Sequence, residues 1–197
     1  MTLMNGLRRL RAVSPQAYAE LAWRHFAAGN DAGARAMAEE ILRSQPRNPD
    51  ALHLLGVLAY RANRQDEAIG LIGAAVRIHK HFPPMHGNLA LAKLAAGDLN
   101  GAKASARRAL ALKPAYADAH RVMGIVLHEQ GRHREAVVEL RRAIALESAT
   151  AELRSYIGHA LRALGEHDAA AEQLEAAATL RKQEETNGSL RLRPVPR

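Results

Sequence analysis

Apolar and small residues recur along this chain at one fixed spacing. Aligned segments begin at residues 49, 83, 117 and 151, so each start lies 34 residues after the one before it, and no insertion interrupts them. One period upstream, a segment that begins at Pro15 fits the same frame. Such a period is typical of proteins in which each repeat buries its apolar face against its neighbours.

Three columns of the alignment predict helices that pack in pairs. The seventh position of each repeat is large and apolar: Leu21, Leu55, Leu89, Met123 and Ile157. The eighth position is small, which lets two helices approach closely: Ala22, Gly56, Ala90, Gly124 and Gly158. The twentieth position, which we expect to form the other side of this contact, is always alanine: Ala34, Ala68, Ala102, Ala136 and Ala170. The composition also favours helices, because it is rich in alanine and leucine and only 4% aromatic.

A fourth column predicts the turn between the two helices of each repeat. The fifteenth position holds residue types that tolerate the left-handed backbone conformation: Gly29, Asn63, Gly97, Gly131 and Gly165. One helix should therefore end before this position and the second should begin just after it. Ser14 followed by Pro15 is typical of an N-cap and a first helical turn, so we expect the first hairpin to begin there.

These columns resemble the motif of the tetratricopeptide repeat (TPR) family. The resemblance covers residues 15–184, as repeats 15–48, 49–82, 83–116, 117–150 and 151–184. It implies an all-α fold, a right-handed α–α superhelix (solenoid) of five TPR helical hairpins. The sequence departs from the family at the fourth position, often tryptophan, which here holds Tyr18, Leu52, His86, His120 and Arg154. The flanking residues are predicted to be a basic amphipathic segment at 1–14 and a disordered basic tail at 185–197.

The resemblance also implies a partner-binding groove on a concave face lined by the first helix of each repeat. The groove residues carried over by alignment are Trp23, Phe26, His53, Val57, Tyr60, Leu91, Leu94, Arg121, Ile125, His128, Ser155, His159 and Arg162. Its N-terminal end is aromatic, its middle aliphatic and its C-terminal end polar and basic, which suits a peptide with an apolar part and an acidic part. In the alternative interpretation, Leu3, Leu7 and Leu10 of the N-terminal segment cover Trp23 and Phe26.

Charge and composition narrow the classes of function. The chain carries a net charge of +8, and its basic excess is concentrated at the ends, in Arg8, Arg9, Arg11, Arg191, Arg193 and Arg197. Basic ends can meet nucleic acid or simply promote solubility, and the second interpretation is favoured because no basic stripe with interleaved aromatics follows the body. The absence of cysteine excludes disulfides and thiolate metal sites. No apolar run approaches the ~20 residues of a membrane span, so we expect a cytoplasmic protein without membrane contact.

No motif predicts catalysis, a metal or a cofactor. The run His128 to His133 nearly matches the zinc-protease pattern H-E-x-x-H, but its second histidine is one residue too late. On a helix, a spacing of five residues turns two side chains away from each other, and Gly131 is expected to end the helix between them. We therefore predict that the chain is not an enzyme.

Three functional hypotheses remain at this stage. The first is a protein–protein interaction scaffold that binds a peptide or helix in the groove. The second is a non-catalytic recognition arm or accessory subunit of a protein glycosyltransferase or sulfotransferase. It is suggested by residues 51–72, which are similar to repeats that precede catalytic domains in bacterial protein glycosyltransferases of the O-linked N-acetylglucosamine or Spindly type and in some sulfotransferases. The third is nucleic-acid binding through the basic termini. The last repeat lacks an evident cap, so an apolar strip on helix 167–183 is also predicted to stay exposed or to form a homo-oligomer.

Overall fold

The computed structural model of the chain describes residues 15–147 and 149–191, and this part is built from helices without a β-strand. The predicted all-α class is confirmed. In chain order the helices of this part are α1 Pro15–Ala27, α2 Asp31–Ser44, α3 Pro49–Arg61, α4 Gln65–Ile78, α5 Pro83–Ala95, α6 Leu99–Leu112, α7 Ala117–Glu129, α8 His133–Leu146, α9 Ala151–Ala163 and α10 His167–Arg191.

The helix starts follow the period of the sequence. The first helices begin at residues 15, 49, 83, 117 and 151, and the second helices begin at 31, 65, 99, 133 and 167. Between them, the fifteenth position of every repeat has a positive φ: Gly29 (76°), Asn63 (59°), Gly97 (79°), Gly131 (73°) and Gly165 (81°). The predicted left-handed turn is therefore confirmed in all five repeats. Asparagine is among the non-glycine residues that adopt this conformation most readily.

Asn48 fixes the start of α3, the helix that carries Asp50 and His53. The Asn48 side chain accepts hydrogen bonds from the backbone N–H groups of Asp50, at 3.1 Å, and Ala51, at 3.0 Å. Pro49 occupies the first turn, where its missing N–H costs nothing because that group would have no partner within the helix. Local chemistry alone thus sets where α3 begins.

The contacts divide the chain into two compact units, Met1–Ala96 and Gly97–Arg197. Unit 1 contains α1 to α5, and its largest fully buried side chains are Leu54, Ile72 and Met85. Unit 2 contains α6 to α10, and its largest fully buried side chains are Val122, Val126, Leu140 and Ile157. Of the two helices of the third repeat, α5 belongs to unit 1 and α6 to unit 2.

The side chain nearest to the eighth-position glycines comes from a different column from the predicted one. A Cβ atom on Gly56 would lie 2.5 Å from Cγ1 of Ile72, which occupies the twenty-fourth position. The same contact recurs in the pairs Gly124–Leu140 and Gly158–Leu174. Among the three atoms nearest to each added Cβ, the twentieth-position alanine, which we expected there, is represented only by the backbone oxygen of Ala170, at 3.2 Å in repeat five. A large side chain at the twenty-fourth position thus fills the space that glycine leaves. Where the eighth position is Ala22, the twenty-fourth is Ala38, and both are fully buried in one cluster.

The ends of the described part bear on several of the predictions. Helix α10 runs to Arg191, whereas the sequence predicted a disordered tail from 185. Residues 1–14 and 192–197 lie outside the described residues, and with them the Ser14 N-cap, the segment expected to cover Trp23 and Phe26, and most of the terminal arginines. Among the described helices, none combines the length and the apolar character that crossing a membrane requires.

Candidate functional site

Unit 1 contains an open pocket of about 500 Å³ that is lined by its three first helices and by the residue before α5. The side chains that matter to its chemistry are Glu20 and Trp23 on α1, Asp50 and His53 on α3, Phe82 before α5, and Asn88 on α5. We call it the aromatic pocket. Its other lining residues, Gln16, Ala19 and Pro84, carry no charge. Two of the predicted groove residues, Trp23 and His53, are thus brought together here.

His53 forms the centre of the aromatic pocket. Its ring centroid lies 5.1 Å from that of Trp23 and 6.4 Å from that of Phe82, and only 3% of the residue is exposed. The amide nitrogen of Asn88 lies 2.8 Å from Nε2 of His53 and donates to it, so the imidazole proton sits on Nδ1. Burial lowers the pKa of His53 to about 4, because the charged ring would lose its hydration. The ring is therefore neutral near pH 7.

The charge of the aromatic pocket is negative. Glu20 and Asp50 line it, and neither forms an ion pair with a residue of the described part. No lysine or arginine lines it, and the neutral His53 does not offset the two carboxylates. A ligand that enters this pocket therefore meets aromatic rings and two unmatched negative charges.

The remaining predicted residues of unit 1 lie outside the pocket lining. Phe26 packs edge-on against Trp23, with centroids 5.6 Å apart, and the Arg61 guanidinium lies 4.8 Å over the Phe26 ring. Arg61 in turn pairs with Asp31 at 3.0 Å. Val57 and Tyr60 are half-buried against the core, and Leu91 and Leu94 on α5 are half-buried as well. These side chains support the first helices and leave Trp23 and His53 as the predicted residues that line the cavity.

In unit 2, two predicted groove residues are occupied by internal contacts. Arg121 pairs with Asp118 at 2.9 Å and with Glu152 at 3.4 Å, so carboxylates of the same unit already face its guanidinium. Ile125 is only 4% exposed and belongs to the core. Its helix turns this side chain inward, so Ile125 offers little surface to a partner, and its role in partner binding stays a prediction.

The other predicted residues of unit 2 lie close to further polar and aromatic side chains. The ring of His128 lies 5.7 Å from that of Tyr156 and 5.1 Å from that of His133. His159 accepts a hydrogen bond from Arg162 at 3.1 Å. Ser155 and His159 also line an open pocket of about 480 Å³, together with Ala151, Glu152, Tyr156 and Arg181.

The two histidines of the near-match to the zinc-protease pattern lie close together, whereas the sequence predicted that they would point away from each other. The Nδ1 atoms of His128 and His133 lie 3.3 Å apart, because the left-handed turn at Gly131 reverses the chain between them. Burial, then the neighbouring His133, lowers the pKa of His128. Within residues 15–147 and 149–191, no three His, Asp or Glu side chains come together in a way that would hold a metal ion.

Two histidines that replace the family's tryptophan at the fourth position have a structural role that the alignment did not reveal. Nε2 of His86 lies 2.9 Å from the carbonyl oxygen of Lys80, and Nε2 of His120 lies 2.9 Å from that of Pro114. In both cases the bonded carbonyl precedes the histidine by six residues. The recurrence of histidine at the fourth position of two successive repeats was the signal in the sequence that could have indicated this role. Each histidine thus satisfies a backbone carbonyl in the connection that leads into its helix.

Comparison with known proteins agrees with the repeat architecture. A sequence model of the tetratricopeptide repeat matches residues 19–80 and 129–185, and a second model of the same repeat matches residues 93–147. No curated protein matches the chain.

Solved structures are similar over most of the chain. A thermophilic TPR protein from Thermus thermophilus is 24% identical, with a TM-score of 0.66 over 85% of this chain and 91% of that one. MamA from Desulfovibrio magneticus is 15% identical, with a TM-score of 0.70 over 87% and 97%. PilF from Pseudomonas aeruginosa is 16% identical, with a TM-score of 0.71 over 84% and 75%.

At these identities the structures show the fold alone, and the similarity to repeats that precede glycosyltransferase or sulfotransferase domains stays a prediction. The matched repeats cover the segments in which the structure places the paired helices and periodic left-handed turns. The chain therefore belongs to the tetratricopeptide repeat family, whose fold serves as a scaffold for protein–protein interaction.

Proposed function

We propose that unit 1 binds a peptide segment of a partner protein on the first helices of its repeats, with the aromatic pocket as the main contact. The observation that carries this proposal is the pocket itself, an open cavity of about 500 Å³ that α1, α3 and α5 line together. Its volume lies within the range of about 300–1,000 Å³ that is usual for ligand sites.

The residues of the pocket suit a peptide better than a flat protein surface. Trp23 and Phe82 offer apolar rings, and tryptophan is among the residues that contribute most to binding energy at interfaces. His53 and Asn88 add polar groups that are held by their mutual hydrogen bond, so little ordering is needed when a ligand arrives. A side chain of the partner enters the cavity while its backbone follows the first helices.

A peptide array probed with the full chain tests the proposal. We expect the wild type to bind a subset of peptides, and the variants Trp23→Ala and Phe82→Ala to lose most of that binding. Val138→Ala is the matched control, because Val138 is an apolar residue of α8 in unit 2 that is 49% exposed. Thermal unfolding of each variant shows whether the fold survives.

Two results would overturn the proposal. One is an array on which the wild type binds no peptide. The other is a pattern that survives both pocket substitutions in folded protein.

A further inference from the structure

We propose that the aromatic pocket takes an arginine side chain of the partner peptide. This inference rests on the proposed function, and it adds the chemical class of the side chain that enters the cavity. The family resemblance does not imply it, since that resemblance pointed to a partner with apolar and acidic parts.

The pairing of charges in unit 1 leaves two carboxylates of the pocket without a cation in the part of the chain that the structure describes. Four carboxylates of this unit have an internal cation, in the pairs Arg35–Glu39, Arg43–Glu40, Arg61–Asp31 and Arg64–Glu67. Glu20 and Asp50 have none among the described residues, and both line the pocket. Residues 15–96 hold nine lysines and arginines against seven aspartates and glutamates, so this pocket has the opposite sign to the rest of the described part of its unit. Charge complementarity therefore selects a cationic group.

The His53 ring uses one of its two nitrogens for a hydrogen bond within the described part. Its Nε2 accepts from Asn88, which leaves the proton on Nδ1 without a partner in the described part. No fully buried side-chain nitrogen or oxygen of that part lacks a partner, so Nδ1 keeps a small contact with the open pocket although only 3% of His53 is exposed. An N–H in this position suits a backbone carbonyl of the bound peptide. The pocket thus presents a donor for the peptide backbone next to acceptors for a cation.

Guanidinium fits these surroundings better than ammonium. It is planar, it stacks on aromatic faces such as those of Trp23 and Phe82, and its five N–H groups match several acceptors at once. A lysine ammonium is more strongly hydrated and gains less from the aromatic wall. Glutamate in the same place would meet Glu20 and Asp50 and be repelled.

Trp23 supplies the assay, because it is the only tryptophan in the chain and it lines the pocket. The full chain is titrated with three peptides of leucine and alanine that differ only in a central arginine, citrulline or glutamate. Citrulline keeps the shape of arginine without its charge. We expect the arginine peptide to change Trp23 fluorescence and to bind about tenfold more tightly than the citrulline peptide, as for the loss of one charged hydrogen bond. The glutamate peptide should leave the fluorescence unchanged.

Neutral variants of the two carboxylates locate the effect. Glu20→Gln and Asp50→Asn should each weaken the arginine peptide by about threefold to tenfold and leave the citrulline peptide unaffected. Asp66→Asn is the matched control. Asp66 is another unit 1 carboxylate without an ion pair in the described part, but it lies on α4 outside the pocket, and its variant should bind like the wild type.

Equal binding of the arginine and citrulline peptides would overturn the inference, as would wild-type affinity in both neutral variants. If peptides on the array bind through Trp23 and Phe82 without preferring arginine, this inference fails while the proposed function stands. If no peptide binds at all, the proposed function fails with it.

Discussion

Substituting Gly56 by alanine tests the packing of α3 against α4. A Cβ at this position would lie 2.5 Å from Cγ1 of Ile72, 3.1 Å from the Ile72 backbone nitrogen and 3.2 Å from Cβ of Leu71. Carbon atoms in ordinary contact are about 3.5–4.0 Å apart. Ile72 is fully buried and its Cγ1 is close to its own backbone, so the side chain has no room to swing away. The two helices must therefore move apart.

The expected cost is the balance of two effects. Forcing an extra carbon into a packed interior costs about 1–3 kcal/mol, and replacing glycine by alanine within a helix returns about 1 kcal/mol. Since part of the contact is with backbone, we expect the upper part of the first range and a net loss of about 1–2 kcal/mol of unfolding free energy. Gly70→Ala on α4 is the matched control. Its Cβ would meet nothing within 4 Å, so it should stabilise the protein by about 0.5–1 kcal/mol.

A double-mutant cycle with Ile72→Ala isolates the contact. That substitution alone should cost about 2–5 kcal/mol, because a fully buried side chain is truncated. In its background the atom nearest to the new Cβ is gone, so Gly56→Ala should become neutral or stabilising. The resulting coupling is about 2 kcal/mol. Urea unfolding followed by circular dichroism measures each free energy. If Gly56→Ala and Gly70→Ala stabilise equally, or if the coupling is close to zero, the contact between Gly56 and Ile72 does not limit the packing of α3 against α4.

Three further predictions concern polar residues. Acidification should lower the unfolding free energy through His53. This side chain takes up a proton near pH 6.5 in the unfolded chain but only near pH 4 in the folded protein, because burial lowers its pKa. Up to about 3 kcal/mol of unfolding free energy is therefore lost as the pH falls from 6.5 to 4, and none is lost above this range. His53→Gln should flatten this part of the curve of unfolding free energy against pH. His120→Ala should cost about 1.5–3 kcal/mol more than His86→Ala in urea unfolding, because His120 also contacts the Glu139 carboxylate at 2.6 Å, and an equal cost would contradict this reasoning. Asp98→Ala should cost about 1 kcal/mol, since the Asp98 side chain caps α6, whereas a thermal melt of Asp98→Asn should match the wild type.

The sequence by itself was sufficient for the repeat frame and the turns. Helix starts and left-handed residues depend on short-range chemistry, which recurs with the 34-residue period and can be identified from residue type alone. Residue types along the chain do not show how far apart two packed helices lie. For that reason the alignment assigned the close approach to the twentieth column, whereas the Ile72 side chain of the twenty-fourth column fills the space at Gly56.

The candidate site shows the same division. Alignment selected Trp23 and His53, which line the pocket, but it did not select Phe82, Glu20 or Asp50. Whether a carboxylate is paired depends on which cations the folded chain brings within reach, and no pattern along the sequence records that.

In unit 2, the tertiary structure also shows contacts that the sequence pattern did not indicate. Arg121 is matched by Asp118 and Glu152, and Ile125 is turned into the core. His128 meets His133 because the chain reverses between them. The sequence therefore determined what depends on neighbours along the chain, and only the folded structure decided burial and charge pairing, because both are set by helices packed side by side.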